Sequence, residues 1–301
     1  MLAAYTAFNN RVRKVMLLMK KSMLLLLGAM MIVSICGCQA TVDEVSNPVT
    51  TESKTEVDEK STDTPPAGDS AHDYSQLDKN TVNAQNQLEE SEMVRFDNPN
   101  GTGIRVMFVG NSITLHGVSH SIGWHNEWGM AASTKEKDYV HILMQRIKEE
   151  DPEAAFCICQ VSEWETKYKN GSSTYSLFDN ARSFNTDIII MRFIENCPYA
   201  DFDGTVFKKE LSGLFNYLDP ENKAKVILTT GFWKHPGDES IKEYAAENDL
   251  PVVYLGDLGE DDEMKAIGLF EHKGVANHPG DLGMEKIAER IFTEIEKILH
   301  K

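Results

Sequence analysis

The segment Val106–Gly117 reads VMFVGNSITLHG: an unbroken apolar run that stops at Gly110 and gives way to a polar turn holding Asn111 and Ser112. A short run that is apolar at every position is a strand buried on both faces, the mark of a parallel sheet rather than a half-solvated antiparallel one. The run reaches back to Ile104, and four more follow it, at Ala155–Val161, Asp187–Phe193, Lys225–Gly231 and Val252–Gly256. Between them lie stretches with helical spacing. Tyr139–Glu150 sets Val140, Leu143, Met144 and Ile147 on one face, and Thr205–Tyr217 and Glu239–Asn248 follow the same pattern more weakly. Leu282–Leu299 is the clearest, with Met284, Ile287, Ala288, Ile291, Phe292, Ile295, Ile298 and Leu299 in register. Asp281, after the Pro279-Gly280 turn, is placed to cap it. Strands alternating with helices predict an α/β fold, a doubly wound five-stranded parallel sheet covered on both faces. Ligands bind such sheets at the carboxyl ends of the strands.

Three features fall at those ends. Ser112 follows the first strand, Glu195 and Asn196 follow the third (IIIMRFIENC, Ile188–Cys197), and His278 precedes the last helix in GVANHPGDLG. Singly, each reads as a turn or loop residue. Together they supply a hydroxyl nucleophile, a base suited to neutral pH and an amide donor for a developing oxyanion.

Gly-Asn-Ser-Ile-Thr, Glu-Asn and His-Pro, in that order over residues 104–299, resemble the first, third and fifth sequence blocks of the SGNH (GDSL-type) hydrolase superfamily. The resemblance implies a flavodoxin-like three-layer α/β/α sandwich. It further implies Ser112 as nucleophile, His278 as general base, and the Ser112 N–H with the Asn196 side chain as oxyanion donors, without a cofactor. Members are esterases, lipases and thioesterases, and many remove acetyl groups from polysaccharides. The expected activity is therefore hydrolysis of an acyl ester, an O-acetyl on a carbohydrate in the leading reading, through an acyl-serine. The same residues serve acyl transfer to a glycan, and a non-catalytic glycan-binding lipoprotein is the alternative from another class.

The sequence departs from the family pattern at several positions. Asn111 stands where Asp is usual. The second-block glycine has no match, Gly171 being too distant, and a backbone N–H near Ser162–Glu163 is the substitute to examine. Ile194 and Cys197 stand where Gly and Asp are usual. Val275 occupies the position of the acid that normally orients the histidine. Either another carboxylate does this work or a backbone carbonyl does, giving a Ser–His dyad. Asp281 reads as a helix cap and Asp257 as a loop residue.

The loop His116–Tyr139 is rich in aromatics. Trp124, His125 and Trp128 there, with Trp233 after another strand, are candidates to line a carbohydrate cleft, and Trp164 and His235 follow strands on the same edge. His116, His120 and His125 lack metal-ligand spacing, so no metal is expected. Arg192, inside an apolar strand, needs a partner, and Glu165 and Glu195 are the candidates. Cys157 and Cys159 share one strand face and read as small buried hydrophobes.

The remainder of the 301-residue chain is address and spacer. Lys20 and Lys21 precede an apolar run that ends in Cys36-Gly37-Cys38. This reads as a lipoprotein signal peptide over 1–38, with Cys38 as the lipidated residue and residues 1–18 upstream of a more usual start at Met19. Residues 39–93, rich in Ser, Thr, Asp and Glu, carry too little apolar surface to order and read as a tether, leaving 94–301 as the catalytic domain. Extracytoplasmic placement through a membrane anchor follows from that reading. The net charge of -17 argues against a nucleic-acid partner.

Overall fold

The computed structural model of the protein describes residues 88–300. The expected signal peptide, Cys38 and the expected tether as far as residue 87 lie outside the described residues. Residues 88–93, expected to be the end of an unordered tether, belong instead to the domain, with Leu88 and Met93 buried in its core.

The elements are β1 (Val94–Asp97), β2 (Arg105–Gly110), α1 (Tyr139–Glu150), β3 (Ala155–Gln160), α2 (Ser162–Thr166), α3 (Asp179–Arg182), β4 (Ile188–Arg192), α4 (Gly204–Leu218), β5 (Lys225–Thr229), α5 (Gly237–Asn248), β6 (Val252–Val253), α6 (Lys273–Ala276) and α7 (Asp281–Leu299), with short 3-10 turns between them. The sheet has six strands in the order β1-β3-β2-β4-β5-β6. The five expected strands are all present and parallel, and β1 adds an antiparallel edge against β3, Val94 opposite Cys159 and Asp97 opposite Phe156. The last strand is shorter than its apolar run, because past Val253 the chain turns toward the loop that carries Asp257.

Every residue of β3 and β4, and all of β2 after Arg105, is buried, as continuous apolar runs require. Each large side chain so buried contributes about 1.5–3 kcal/mol of transfer free energy. Helices α1 and α7 pack together, while α4 packs against α5 and the 3-10 segment Tyr168–Phe178. Capping follows side-chain chemistry: the Asp138 carboxylate accepts from the His141 N–H, and that of Asp203 from the Thr205 and Val206 N–H groups. Asp281 does not cap α7. It is the first helical residue, Gly280 holds the cap position, and its carboxylate instead takes the Ser133 N–H and hydroxyl and Lys137 Nζ. A carboxylate in the first turn still suits the positive end of the helix.

Register places the site. Gly110 is level with Gln160 on one side and with Arg192 on the other, so the segments leaving β2, β3 and β4 emerge together. The chain passes from β2 outward to β3, then back across β2 to β4. The crevice at this reversal, between the ends of β2 and β4, is where doubly wound sheets bind ligands.

Candidate active site

Ser112 sits in a tight turn at the end of β2, where the Asn111 carbonyl accepts from both the Thr114 and Leu115 N–H groups. Gly110 permits the turn, since a Cβ there would collide with the Thr114 hydroxyl and the Arg192 carbonyl. Ser112 Oγ lies 2.9 Å from His278 Nε2, although 166 residues separate them. His278 enters along a bridge between Lys265 and Pro279, with the Ala266 N–H bonded to the His278 carbonyl.

The other ring nitrogen answers the question that Val275 raised. His278 Nδ1 donates to the Gly274 carbonyl at 2.7 Å. Gly274 belongs to α6, which is too short for this carbonyl to find a helical partner, because the His278 N–H goes to Val275 O instead. The bond fixes the tautomer: the proton sits on Nδ1 and the Nε2 lone pair faces the serine hydroxyl. The two other carboxylates considered are engaged elsewhere, Asp257 with Arg290 and Asp281 with Lys137. His278 is 1% exposed. Burial, with smaller contributions from His116 and Arg192, lowers its pKa to about 4, against the opposing pull of Gly274 O and Glu195. At neutral pH it is a neutral base.

Behind the serine lies a buried polar network. Arg192 pairs with Glu195, Nη2 to Oε2 at 2.6 Å, and also donates to Asn111 Oδ1 at 3.0 Å. Of the two partners expected for Arg192, Glu195 is the one it meets. Asn111 Nδ2 donates to Glu195 Oε2 at 2.6 Å and to Glu165 Oε1 at 3.1 Å. Glu195 Oε1 takes the Phe232 N–H, tying in the end of β5. Burial alone would raise the Glu195 carboxyl, but Arg192, the Phe232 N–H and Asn111 outweigh it and hold it below its ordinary value. Asn111 therefore serves this network as both donor and acceptor.

Asn196 is half-buried. Its Nδ2 donates to Glu165 Oε2 at 2.9 Å and reaches Ser162 Oγ at 3.3 Å. The residue before the nucleophile and the candidate oxyanion donor are thus held by the two oxygens of one carboxylate. Ile194 adopts a φ of 141°, a region that side chains rarely enter. Its N–H is fixed by Glu165 Oε1 at 2.7 Å, and its side chain fills space left by Gly231 and Gly237.

Gly171 packs beneath the Trp164 indole and does not serve as the second-block glycine. The Ser162 N–H, the substitute considered, is bound to Gln160 Oε1 at 3.0 Å, while Gln160 Nε2 donates to Ser162 Oγ at 2.7 Å.

The aromatics divide. The Trp233 ring meets His278 edge-on at 5.0 Å and flanks the site. Trp124 is fully buried, packed with Ile122, Met130, Ala131, Ala266 and Val275 in a small second core, and so has no face to offer a sugar. Trp128 packs edge-on against it and donates from Nε1 to Ala132 O. His125 is exposed, its Nδ1 2.8 Å from His120 Nδ1. Trp164 is buried against Phe193 and Phe207, and His235 bonds Cys197 O. The hydrophobic loop aromatics thus assemble the wall that carries Val275 and Gly274. Among the described residues, no group of three or more His, Cys, Asp or Glu side chains could hold a metal ion.

Sequence reading missed Gly274, a backbone atom without a residue-type signal, and saw Glu165 only as a partner for Arg192. SEWET carries two glutamates, Glu163 and Glu165, and nothing local in the sequence says which of them turns inward.

No family model matches the chain, and no curated protein matches it in sequence. Solved structures align with it in fold. A two-domain esterase active on acetylated mannans, crystallised with mannopentaose, aligns with 18% identity and a TM-score of 0.46, covering 68% of this chain and 52% of that one. The chain thus spans about half the length of that enzyme. A lipase/acylhydrolase from Enterococcus faecalis aligns with 17% identity and a TM-score of 0.44, covering 65% and 96%. An acetyl xylan esterase aligns with 18% identity and a TM-score of 0.43, covering 64% and 100%.

Proposed function

We propose that the protein is a serine esterase that removes a small acyl group, an O-acetyl on a carbohydrate, through an acyl-serine intermediate. The observation that carries this is the aligned relay from Ser112 Oγ to His278 Nε2 at 2.9 Å and from His278 Nδ1 to Gly274 O at 2.7 Å. The buried imidazole takes the hydroxyl proton as Ser112 attacks the ester carbonyl. The negative charge that develops on the carbonyl oxygen is met by the Ser112 N–H and by Asn196 Nδ2. The imidazolium then protonates the leaving alcohol, and the neutral base activates water to release the acid. The Gly274 carbonyl, in place of a carboxylate, orients the ring and favours its charged form. Ser112 is largely buried, at 8% exposure. Trp233 beside the base offers the apolar flank for the alcohol moiety.

The Cys36-Gly37-Cys38 sequence supports a lipid anchor on Cys38 and work outside the cytoplasmic membrane. Labelling by a fluorophosphonate probe tests the catalytic reading. Labelling and acetate release lost in S112A are the expected results, and S112A with undiminished hydrolysis of 4-nitrophenyl acetate would overturn it. Incorporation of labelled fatty acid, lost in Cys38→Ala, tests the anchor.

A further inference from the structure

The side chain of Asn196 has two ends of nearly equal shape, an oxygen and an NH2, and only the second can stabilise an oxyanion. Something must decide which end faces where. Glu165 is fully buried, and its carboxylate accepts hydrogen bonds from the Ile194 N–H, the Asn196 N–H and Asn111 Nδ2 on Oε1, and from Asn196 Nδ2 on Oε2. A carboxylate has no hydrogen to offer, so it accepts the amide NH2 and rejects the amide oxygen. The second Nδ2 hydrogen is left toward Ser162 Oγ at 3.3 Å, a long contact on an oxygen that already accepts from Gln160 at 2.7 Å. An oxyanion at the nucleophile displaces so weak a contact readily, because hydrogen bonds to charged acceptors are the stronger ones.

We propose that Glu165 is the positioning residue of the oxyanion site, fixing Asn196 with its NH2 rather than its oxygen available to the reacting carbonyl, and pinning through Ile194 the strained backbone that carries it. This rests on reading Ser112 and Asn196 as acyl-transfer machinery. A merely structural carboxylate would need only its shape and its hydrogen-bond count. A positioning carboxylate needs to be an acceptor at both oxygens. Gln at 165 retains the shape and keeps one oxygen for the three donors on Oε1, but turns an NH2 toward Asn196, which must then present its oxygen.

The test is steady-state kinetics of the full chain on 4-nitrophenyl acetate, for the wild type, E165Q, N196A and the double variant, each checked by thermal melting. Removing one oxyanion donor lowers kcat by about 10²–10³-fold. The expected result is that E165Q lowers kcat tenfold or more with KM nearly unchanged, and that the double variant is no slower than N196A. A kcat for E165Q within twofold of wild type, or a double variant slowed by the product of the two single effects, would overturn the proposal. Should E165Q not fold, the wild type decides. The Asn196 side-chain NH2 resonances, identified by their loss in N196A, should show one downfield-shifted proton and slow rotation, and values like those of an exposed asparagine would overturn it. S112A separates the levels: full activity in S112A sinks the esterase reading itself, whereas an inactive S112A beside an unimpaired E165Q sinks only the role of Glu165.

Discussion

His278 donates a hydrogen bond from its Nδ1–H to the backbone carbonyl of Gly274, 2.7 Å away, where a side-chain carboxylate stands in a standard triad. The carbonyl fixes ring and tautomer but carries no full charge. An acid cannot simply be restored by sequence analogy. Val275 is fully buried in the cluster with Trp124, Met130 and Ala266, so Val275→Asp would place a carboxylate among apolar side chains. Burying an unpaired carboxyl is among the most destabilising of single changes. V275D is expected to lose roughly 3 kcal/mol or more of stability in a urea titration and to gain no activity. An increase in kcat would show that the side chain reaches His278 after all.

The pH dependence follows from two shifts of opposite sign. Burial lowers His278 from 6.5 to about 4, so the free base persists until the pH falls through about 4. The main acid limb of kcat/KM is expected there, well below that of an ordinary histidine. The same shift links to stability: the unfolded chain takes up this proton near 6.5 and the folded one only near 4, so stability declines as pH falls from about 6.5 toward 4. Burial and the Glu195 charge raise Glu165 to about 7, against the donors from Ile194, Asn196 and Asn111. The charged and titratable groups around it are Glu195 and Cys197 on the segment after β4, with Arg192 bonded to Glu195. Protonated Glu165 resembles the Gln variant, so kcat of the wild type is expected to fall partly through pH 7 before the limb near 4. E165Q should show the lower limb alone. A wild-type profile flat from pH 8 to 5 would contradict the Glu165 step.

How much of this was legible beforehand depended on whether the determinant was local. β2 to β6 announced themselves as continuous apolar runs, and Ser112 and His278 as residues at the ends of elements. β1 did not, because Val94–Asp97 is only four residues long with Val94 alone buried and Phe96 exposed, and it is a strand only through its pairing with Phe156–Cys159. Asp281 was misread because a carboxylate beside Gly280 and Pro279 looks like a cap; Ser133 and Lys137, distant in sequence, claim it instead. Trp124 was misread for the same reason: nothing nearby in sequence says that Ala266 and Val275 will enclose it.

Ile194 supplies an unusual stability test. In most buried positions Ile→Gly is worse than Ile→Ala, because glycine adds backbone entropy to the unfolded chain. Here the φ of 141° strains alanine as it strains isoleucine and leaves glycine relaxed. Ile194→Ala is expected to lose about 2–5 kcal/mol with the side chain's packing, without relief. Ile194→Gly recovers about 1–3 kcal/mol of strain and should melt higher than Ile194→Ala. The reverse order in thermal denaturation would show that the backbone is not held in this conformation in solution.

The two tryptophans should separate by readout. Trp124 is a core residue of the wall behind the base, so Trp124→Ala is expected to lower stability by about 3–5 kcal/mol, with any loss of activity following the unfolded fraction. Trp233 touches His278 edge-on and stays half-buried at the site, so its removal acts on substrate and base instead. Trp233→Ala should raise KM for an acetylated oligosaccharide more than for 4-nitrophenyl acetate, while losing less stability than Trp124→Ala. Equal increases in KM for the two substrates would place the sugar elsewhere, leaving Trp233 as a support for the imidazole alone.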